Sequence, residues 1–167
     1  MTEKTKQFSI SRTFEAPVSM VFDAFSTADA MAQWWGPTGM NITVMEYDFS
    51  VNGRFHYKMQ NGDQVMWGLF VYQQIKRPDL IEFIVSFSDE EGNICKAPFD
   101  MDFPLQIFNQ LILEESGNKT TLTLKGYPLN ATTEQEATYY AITESMEQGF
   151  NGTFNQLEHY LTQQKNN

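Results

Sequence analysis

The last quarter of the chain carries a long amphipathic pattern, and this feature restricts the fold most. Apolar side chains recur there at spacings of 3, 4, 4, 4, 3 and 4 residues, namely Tyr139, Ile142, Met146, Phe150, Phe154, Leu157 and Leu161. This pattern predicts one helix over 133–162, about 45 Å long. Thr132 or Thr133, together with Glu136, is expected to form its capping box. A helix of this length must bury its apolar side against a partner of similar size.

The preceding residues predict that this partner is a β-sheet. Alternation predicts a strand at 8–14, followed by a short helix near 18–26 and a second one capped by Thr27. Six further strands are expected at 41–49, 54–60, 64–75, 80–87, 106–114 and 119–126. Short gaps with turn residues favour antiparallel pairing, and 94–105 is expected to be a loop. The sequence therefore predicts an α+β helix-grip fold: a curved seven-stranded antiparallel sheet around the C-terminal helix, with space left between them.

Composition favours one domain over residues 1–167, with its core at about 8–162. The chain has 11 Lys and Arg against 21 Asp and Glu, a net charge of −10, which argues against nucleic acid and anionic membranes as partners. No apolar run reaches about 18 residues, and the N-terminus lacks the apolar segment of a secretory signal. With a single cysteine, these observations predict a cytoplasmic protein without membrane insertion. The sequence leaves open whether it is a monomer or a homodimer.

Motifs for catalysis or metal binding are not found. Two histidines and one cysteine are too few for a structural zinc site, and no phosphate-binding or nucleophile motif occurs. We therefore expect no metal, no cofactor and no catalytic residue, and regard enzymatic activity as the less favoured possibility. His56 alternates with Arg54 and Lys58, which predicts a solvated histidine on a basic outer face. Asp48 and Arg54 are expected to form a surface ion pair.

Several segments resemble one protein family. They are Phe14-Glu15-Ala16-Pro17, Val21-Phe22-Asp23-Ala24-Phe25, Trp34-Trp35-Gly36-Pro37, Asp48 with Gly53-Arg54-Phe55, Gly68, Gln148-Gly149-Phe150, Leu157 and Leu161. Over about 8–161, the chain resembles the START-like (SRPBCC) superfamily, which includes the birch pollen allergen. Within it, the chain is most similar to the family named for the activator of the heat-shock-90 chaperone ATPase. The resemblance implies a helix-grip fold with a ligand cavity.

Three functions follow as hypotheses. The first is binding of a hydrophobic small molecule, such as a lipid, polyketide or aromatic metabolite, without catalysis. The second, which the resemblance implies, is a chaperone-regulating protein with a chaperone partner. The third is a cyclase or aromatase, known on the same superfamily, which would need an acid–base pair inside the cavity.

The candidate ligand-binding residues are apolar or aromatic side chains of the strands and helices expected around the cavity. They are Trp34, Trp35, Phe55, Tyr57, Met59, Trp67, Phe83, Phe87, Tyr139, Met146, Gly149, Phe150 and Phe154. Helical spacing from Met31 favours Trp35 as the core residue and leaves Trp34 open, and periodicity does not decide which side of strand 64–75 faces inward. The tyrosines Tyr57, Tyr139 and Tyr140 are candidates for polar groups in the cavity.

Gly149 lies three residues after Met146, which places it on the apolar stripe of the helix. A glycine inside a helix costs about 1 kcal/mol relative to alanine, so a reason for it is expected. It provides either close contact between helix and sheet or space for a ligand, and the second interpretation is favoured.

Overall fold

The structure, a computed structural model, describes residues 6–166. The chain begins with β1 (Phe8–Phe14), α1 (Val18–Asp23) and α2 (Ala28–Trp34). The strands that follow are β2 (Asn41–Tyr47), β3 (Arg54–Asn61), β4 (Gln64–Lys76), β5 (Leu80–Phe87), β6 (Gln106–Ser116) and β7 (Lys119–Leu129). Two helices end the chain, α3 (Thr133–Ala141) and α4 (Thr143–Lys165). The predicted order of strands and short helices is confirmed.

All seven strands form one antiparallel sheet in the order β1-β7-β6-β5-β4-β3-β2. The predicted α+β helix-grip fold is thus confirmed. One face of the sheet and the apolar side of α4 bury the core together, and Phe14 meets Phe154 edge to face with ring centroids 6.2 Å apart. β1 and β2 are the two edge strands. β2 contains a bulge between Val44 and Glu46, where its register against β3 shifts.

The C-terminal helix is not continuous, so the prediction of one helix over 133–162 was wrong. Ile142 separates α3 from α4 with φ −109° and ψ 17°, and the Thr143 hydroxyl donates to the Tyr140 carbonyl there at 3.2 Å. Two adjacent β-branched residues weaken the helix at this point. A capping box begins α3, but Thr132 forms it with Gln135 and not with Glu136.

Two predictions about polar residues on the outer face were also wrong. Arg54 pairs with Glu46, at 3.2 Å between Nε and Oε1, and not with Asp48, which accepts a hydrogen bond from Ser50. His56 is only 4% exposed. Its ring stacks on Trp67, and its Nε2 lies 3.1 Å from the Asp89 carbonyl oxygen.

These differences share a cause that strand alternation cannot reveal. The turn after β5 folds back over the outer face, since Ser88 and Ile94 form a bridge and Arg54 donates to the Gly92 carbonyl at 3.4 Å. A second buried layer therefore exists on the side of the sheet that was expected to face solvent.

Candidate ligand-binding cavity

An apolar cavity of about 350 Å³ lies between the inner face of the sheet and α4. Strands β3, β4 and β5 form one wall, and the first half of α4 forms the other. The loop after α2 and the loop before β6 close the ends. The lining residues are Trp35, Gly36, Pro37, Tyr57, Met59, Met66, Gly68, Val85, Ser86, Phe87, Phe103, Pro104, Ile107, Met146, Gly149, Phe150 and Thr153. Among these residues there is no carboxylate, histidine, lysine or arginine.

Among the cavity-lining residues, Tyr57 is the one whose side chain can lose a proton. Burial raises the pKa of its hydroxyl to about 12, with a smaller, opposite contribution from the neighbouring Trp35 side chain. At neutral pH the phenol is therefore uncharged. Its ring lies over Gly68, its partner on β4, where an added Cβ would lie 2.7 Å from the Tyr57 ring atom Cε2. Gly68 thus leaves the space that lets Tyr57 lie flat along the cavity wall.

Ser86 borders the cavity but does not present its hydroxyl to it. In the sheet, Ser86 on β5 lies directly opposite Leu69 on β4, and Leu69 lies directly opposite His56 on β3. Because residues directly opposite each other point to the same face, all three side chains lie on the outer face of the sheet. Thr153 does face the cavity, but its hydroxyl already donates to the Gly36 carbonyl at 2.9 Å. The polar character of the cavity therefore depends mainly on Tyr57 and the Trp35 indole.

Of the two adjacent tryptophans, Trp34 is the core residue and Trp35 lines the cavity, whereas helical spacing favours Trp35 for the core and leaves Trp34 open. Trp34 is buried, 1% exposed, and its Nε1 donates to the Ala24 carbonyl at 2.9 Å. Trp35 is half-buried and lines the cavity. The reason is that α2 ends at Trp34 and Trp35 has extended backbone angles, φ −73° and ψ 149°. The four-residue spacing from Met31 to Trp35 therefore does not keep both on one helix face.

The structure brings seven of the thirteen candidate residues to the cavity lining: Trp35, Tyr57, Met59, Phe87, Met146, Gly149 and Phe150. Four others are core residues: Trp34, Phe55, Phe83 and Phe154. Tyr139 is buried behind Phe103, at 6.2 Å between ring centroids. Trp67 lies on the outer face against His56, because Met66 and Gly68 are the inward residues of this part of β4.

Sequence reasoning missed several lining residues. Met66 and Gly68 were missed because both faces of β4 are mixed in character. Phe103 and Pro104 lie in the segment 94–105, which carries no strand or helix periodicity. An aromatic cluster of Phe87, Phe99 and Phe103 holds this segment beside the cavity. The density of phenylalanine in the loop was the one feature that could have indicated this role.

Gly149 is exposed at the mouth of the cavity, so its predicted burial was wrong. A Cβ added there would meet nothing within 4 Å. Close contact between helix and sheet at Gly149 is therefore ruled out, and open space at the mouth remains. Elsewhere in α4, Gly152 does approach a neighbour, since a Cβ there would lie 2.6 Å from the Thr38 hydroxyl.

Within residues 6–166, no group of three His, Cys, Asp or Glu side chains is placed to hold a metal ion. In the same residues, no helix is both long enough and apolar enough to cross a bilayer.

A seven-stranded antiparallel sheet, a long C-terminal helix and an apolar cavity between them define a helix-grip protein of the START-like class. Residues 15–162 match the family described as "Activator of Hsp90 ATPase homolog 1-like protein", and the chain belongs to this family. None of the curated proteins matches the chain significantly.

Solved structures of bacterial proteins are similar over nearly the whole chain. A protein from Staphylococcus epidermidis is 28% identical with a TM-score of 0.76, and the match covers 98% of this chain and 93% of that one. A protein from Arthrobacter aurescens is also 28% identical, with a TM-score of 0.77 and coverage of 94% and 86%. The AHSA1 protein from Silicibacter pomeroyi, at 18% identity, TM-score 0.71 and coverage of 95% and 99%, shares the fold.

Proposed function

We propose that this protein binds a hydrophobic small molecule, such as a lipid, polyketide or aromatic metabolite, in the cavity between the sheet and α4. The observation that carries the proposal is the cavity itself, which has about 350 Å³ of space and an apolar lining. Empty apolar cavities cost packing energy, so a cavity of this size in a chain of this length needs a reason. The START-like fold is consistent with a ligand-binding scaffold, and a bound ligand would supply that reason.

The dimensions of the cavity limit the ligand. At roughly 30 Å³ for each water-sized group, the space holds at least about a dozen non-hydrogen atoms. The flexible side chains of Met59, Met66 and Met146 lie in the wall, and methionine adapts to ligands of different shape. We therefore expect several related apolar molecules to bind.

The composition of the cavity lining supports binding of a ligand without its chemical conversion. Acid–base catalysis requires a group that exchanges protons near neutral pH, whereas the Tyr57 hydroxyl has its pKa raised to about 12. A cyclase would need a carboxylate or histidine beside the ligand, and the lining residues include neither. A chaperone partner and a cytoplasmic location remain predictions.

Titration with the uncharged probe N-phenyl-1-naphthylamine tests the proposal. We expect its fluorescence to rise on binding near one to one, and lipids or aromatic polyketides to displace it. Gly149→Leu places a side chain in the open mouth and should weaken binding. Gln148→Leu adds the same side chain at a neighbouring exposed position of α4 and should leave binding unchanged. Absence of binding by the unmodified protein, or equal effects of both variants, would contradict the proposal.

A further inference from the structure

One buried hydroxyl beside the cavity has no hydrogen-bond partner among residues 6–166. Tyr139 is 1% exposed, and its hydroxyl makes no hydrogen bond with any of the described residues. Burial without a partner disfavours the folded state, because the hydroxyl gives up its hydrogen bonds to water. By contrast, the hydroxyl of the next residue, Tyr140, donates to the Lys6 carbonyl oxygen. The buried Tyr139 hydroxyl, which has no partner among the described residues, therefore needs an explanation, whereas the Tyr140 hydroxyl does not need one.

A second polar side chain faces the same point. Asn109 on β6 is 5% exposed, so its side-chain amide is nearly buried. It pairs with Gly126 on β7. A Cβ added to Gly126 would lie 2.6 Å from Asn109 Oδ1 and 3.1 Å from the Tyr139 hydroxyl. The two polar groups thus converge above Gly126, where any larger residue would displace them.

This convergence lies next to the cavity. Ile107, two residues before Asn109 on the same face of β6, lines the cavity. Phe103 also lines it, and its ring is 6.2 Å from the Tyr139 ring. Phe103 belongs to the loop before β6 and is half-buried. The Phe103 side chain therefore borders both the cavity and the Tyr139 ring.

We propose that Tyr139 and Asn109 form a polar subsite at the inner end of the cavity, which takes a neutral oxygen group, a hydroxyl or a carbonyl, of an otherwise apolar ligand. This inference rests on the proposed function. The Tyr139 hydroxyl donates to the ligand oxygen, and the Asn109 amide can donate to it or accept from it. A charged group is disfavoured because the cavity lining holds no cationic side chain and burial of an unpaired charge is costly.

The test compares 2-naphthol with 2-methylnaphthalene, which have the same shape and differ by a hydroxyl in place of a methyl group. Dissociation constants are measured by fluorescence for the unmodified protein and for Tyr139→Phe, Asn109→Leu, Tyr57→Phe and Tyr140→Phe. The quantity compared is the ratio of the two constants, because effects common to both ligands cancel in it.

We expect Tyr139→Phe to weaken 2-naphthol about five-fold, the value of one ordinary hydrogen bond, and to change 2-methylnaphthalene little. Asn109→Leu should act in the same direction, and Tyr140→Phe should leave the ratio unchanged. The thermal midpoint of Tyr139→Phe without ligand should not fall, because its hydroxyl has no partner to lose among the described residues.

Three results would overturn the subsite. The first is equal weakening of both ligands by Tyr139→Phe, and the second is a change of the ratio in Tyr57→Phe alone. The third is a Tyr139→Phe protein that unfolds at lower temperature with an unchanged ratio, which would make the hydroxyl structural. In all three the proposed function stands, since the ligands still bind. Failure of both ligands and of N-phenyl-1-naphthylamine to bind the unmodified protein contradicts the proposed function instead.

Discussion

The Thr153 hydroxyl donates a hydrogen bond to the Gly36 carbonyl oxygen at 2.9 Å, across 117 positions of sequence. The amide of Gln156, one turn further along α4, donates to the same oxygen at 3.0 Å and to the Trp34 carbonyl at 2.9 Å. Together these bonds fix the loop after α2 to the helix. Because Trp35 and Pro37 of this loop line the cavity, the same bonds hold one end of the cavity closed.

Thr153→Val should lower the free energy of unfolding by about 1 kcal/mol, because the shape is kept and one hydrogen bond is lost while Gln156 still satisfies the Gly36 oxygen. Thr153→Val combined with Gln156→Leu should cost more than the sum of the single changes, since a buried carbonyl then loses both partners. Urea unfolding of the four proteins measures this coupling. Additive effects would show that the two bonds act independently.

Phe154 and Phe150 should differ in their contribution to stability, although both lie on the apolar side of α4. Phe154 is 1% exposed and meets Phe14, so Phe154→Ala should cost about 3–5 kcal/mol. Phe150 is half-buried and already borders the cavity, so Phe150→Ala should cost less and should weaken probe binding. Urea unfolding and probe titration measure the two effects. Equal losses of stability would place Phe150 in the core.

Gly149→Ala should raise the free energy of unfolding by up to about 1 kcal/mol, because alanine favours the helix and its Cβ meets nothing within 4 Å. Gly152→Ala is the matched comparison on the same helix. Its Cβ would press on the Thr38 hydroxyl, so it should gain less stability or lose some. Thermal unfolding midpoints of both variants and of the unmodified protein measure these effects. A midpoint for Gly149→Ala below that of the unmodified protein would contradict the open space at the cavity mouth.

Alkaline pH should destabilise the fold through its buried tyrosines. The Tyr57 hydroxyl has its pKa raised from 10.0 to about 12 by burial, so the unfolded chain loses this proton first. The contribution is fully present below pH 10 and is lost as pH rises toward 12, by about 1.4 kcal/mol per pH unit for each such group. Tyr47, also raised to about 12, acts in the same direction.

Tyr57→Phe isolates the contribution of Tyr57. Urea unfolding between pH 9 and pH 12 should show a shallower decline of stability in this variant than in the unmodified protein. Parallel declines would mean that the Tyr57 hydroxyl ionises equally well in the folded protein.

The sheet, its strand order along the chain and the apolar side of α4 could be predicted, because each depends on periodicity within one element. Ile81, Phe83, Val85 and Phe87 alternate cleanly, and Ile81 and Phe83 are buried while Val85 and Phe87 line the cavity. The break at Ile142 was not predicted, since the apolar spacing runs through it unchanged. The adjacent β-branched residues Ile142 and Thr143 weaken a helix there, but such a pair does not by itself end one.

The candidate site was predictable only in part, for a different reason. Which residues border a cavity depends on contacts between elements far apart in sequence. Trp35 reaches the cavity because α2 stops one residue earlier than the spacing suggests. His56 is buried because the turn that contains Asp89, 33 positions later in the sequence, covers it. Asn109 looks like an ordinary polar residue of a strand until Gly126 and Tyr139 are placed beside it.

The bulge in β2 has a consequence for how the protein behaves in a crowded solution. β2 is an edge strand, and an unpaired edge can recruit a strand from another molecule and start aggregation. The shift between Val44 and Glu46 divides this edge into pieces too short for regular pairing, and the charged Arg54–Glu46 pair sits at the interruption. The sheet can therefore end at β2 without offering a template on which further copies would accumulate.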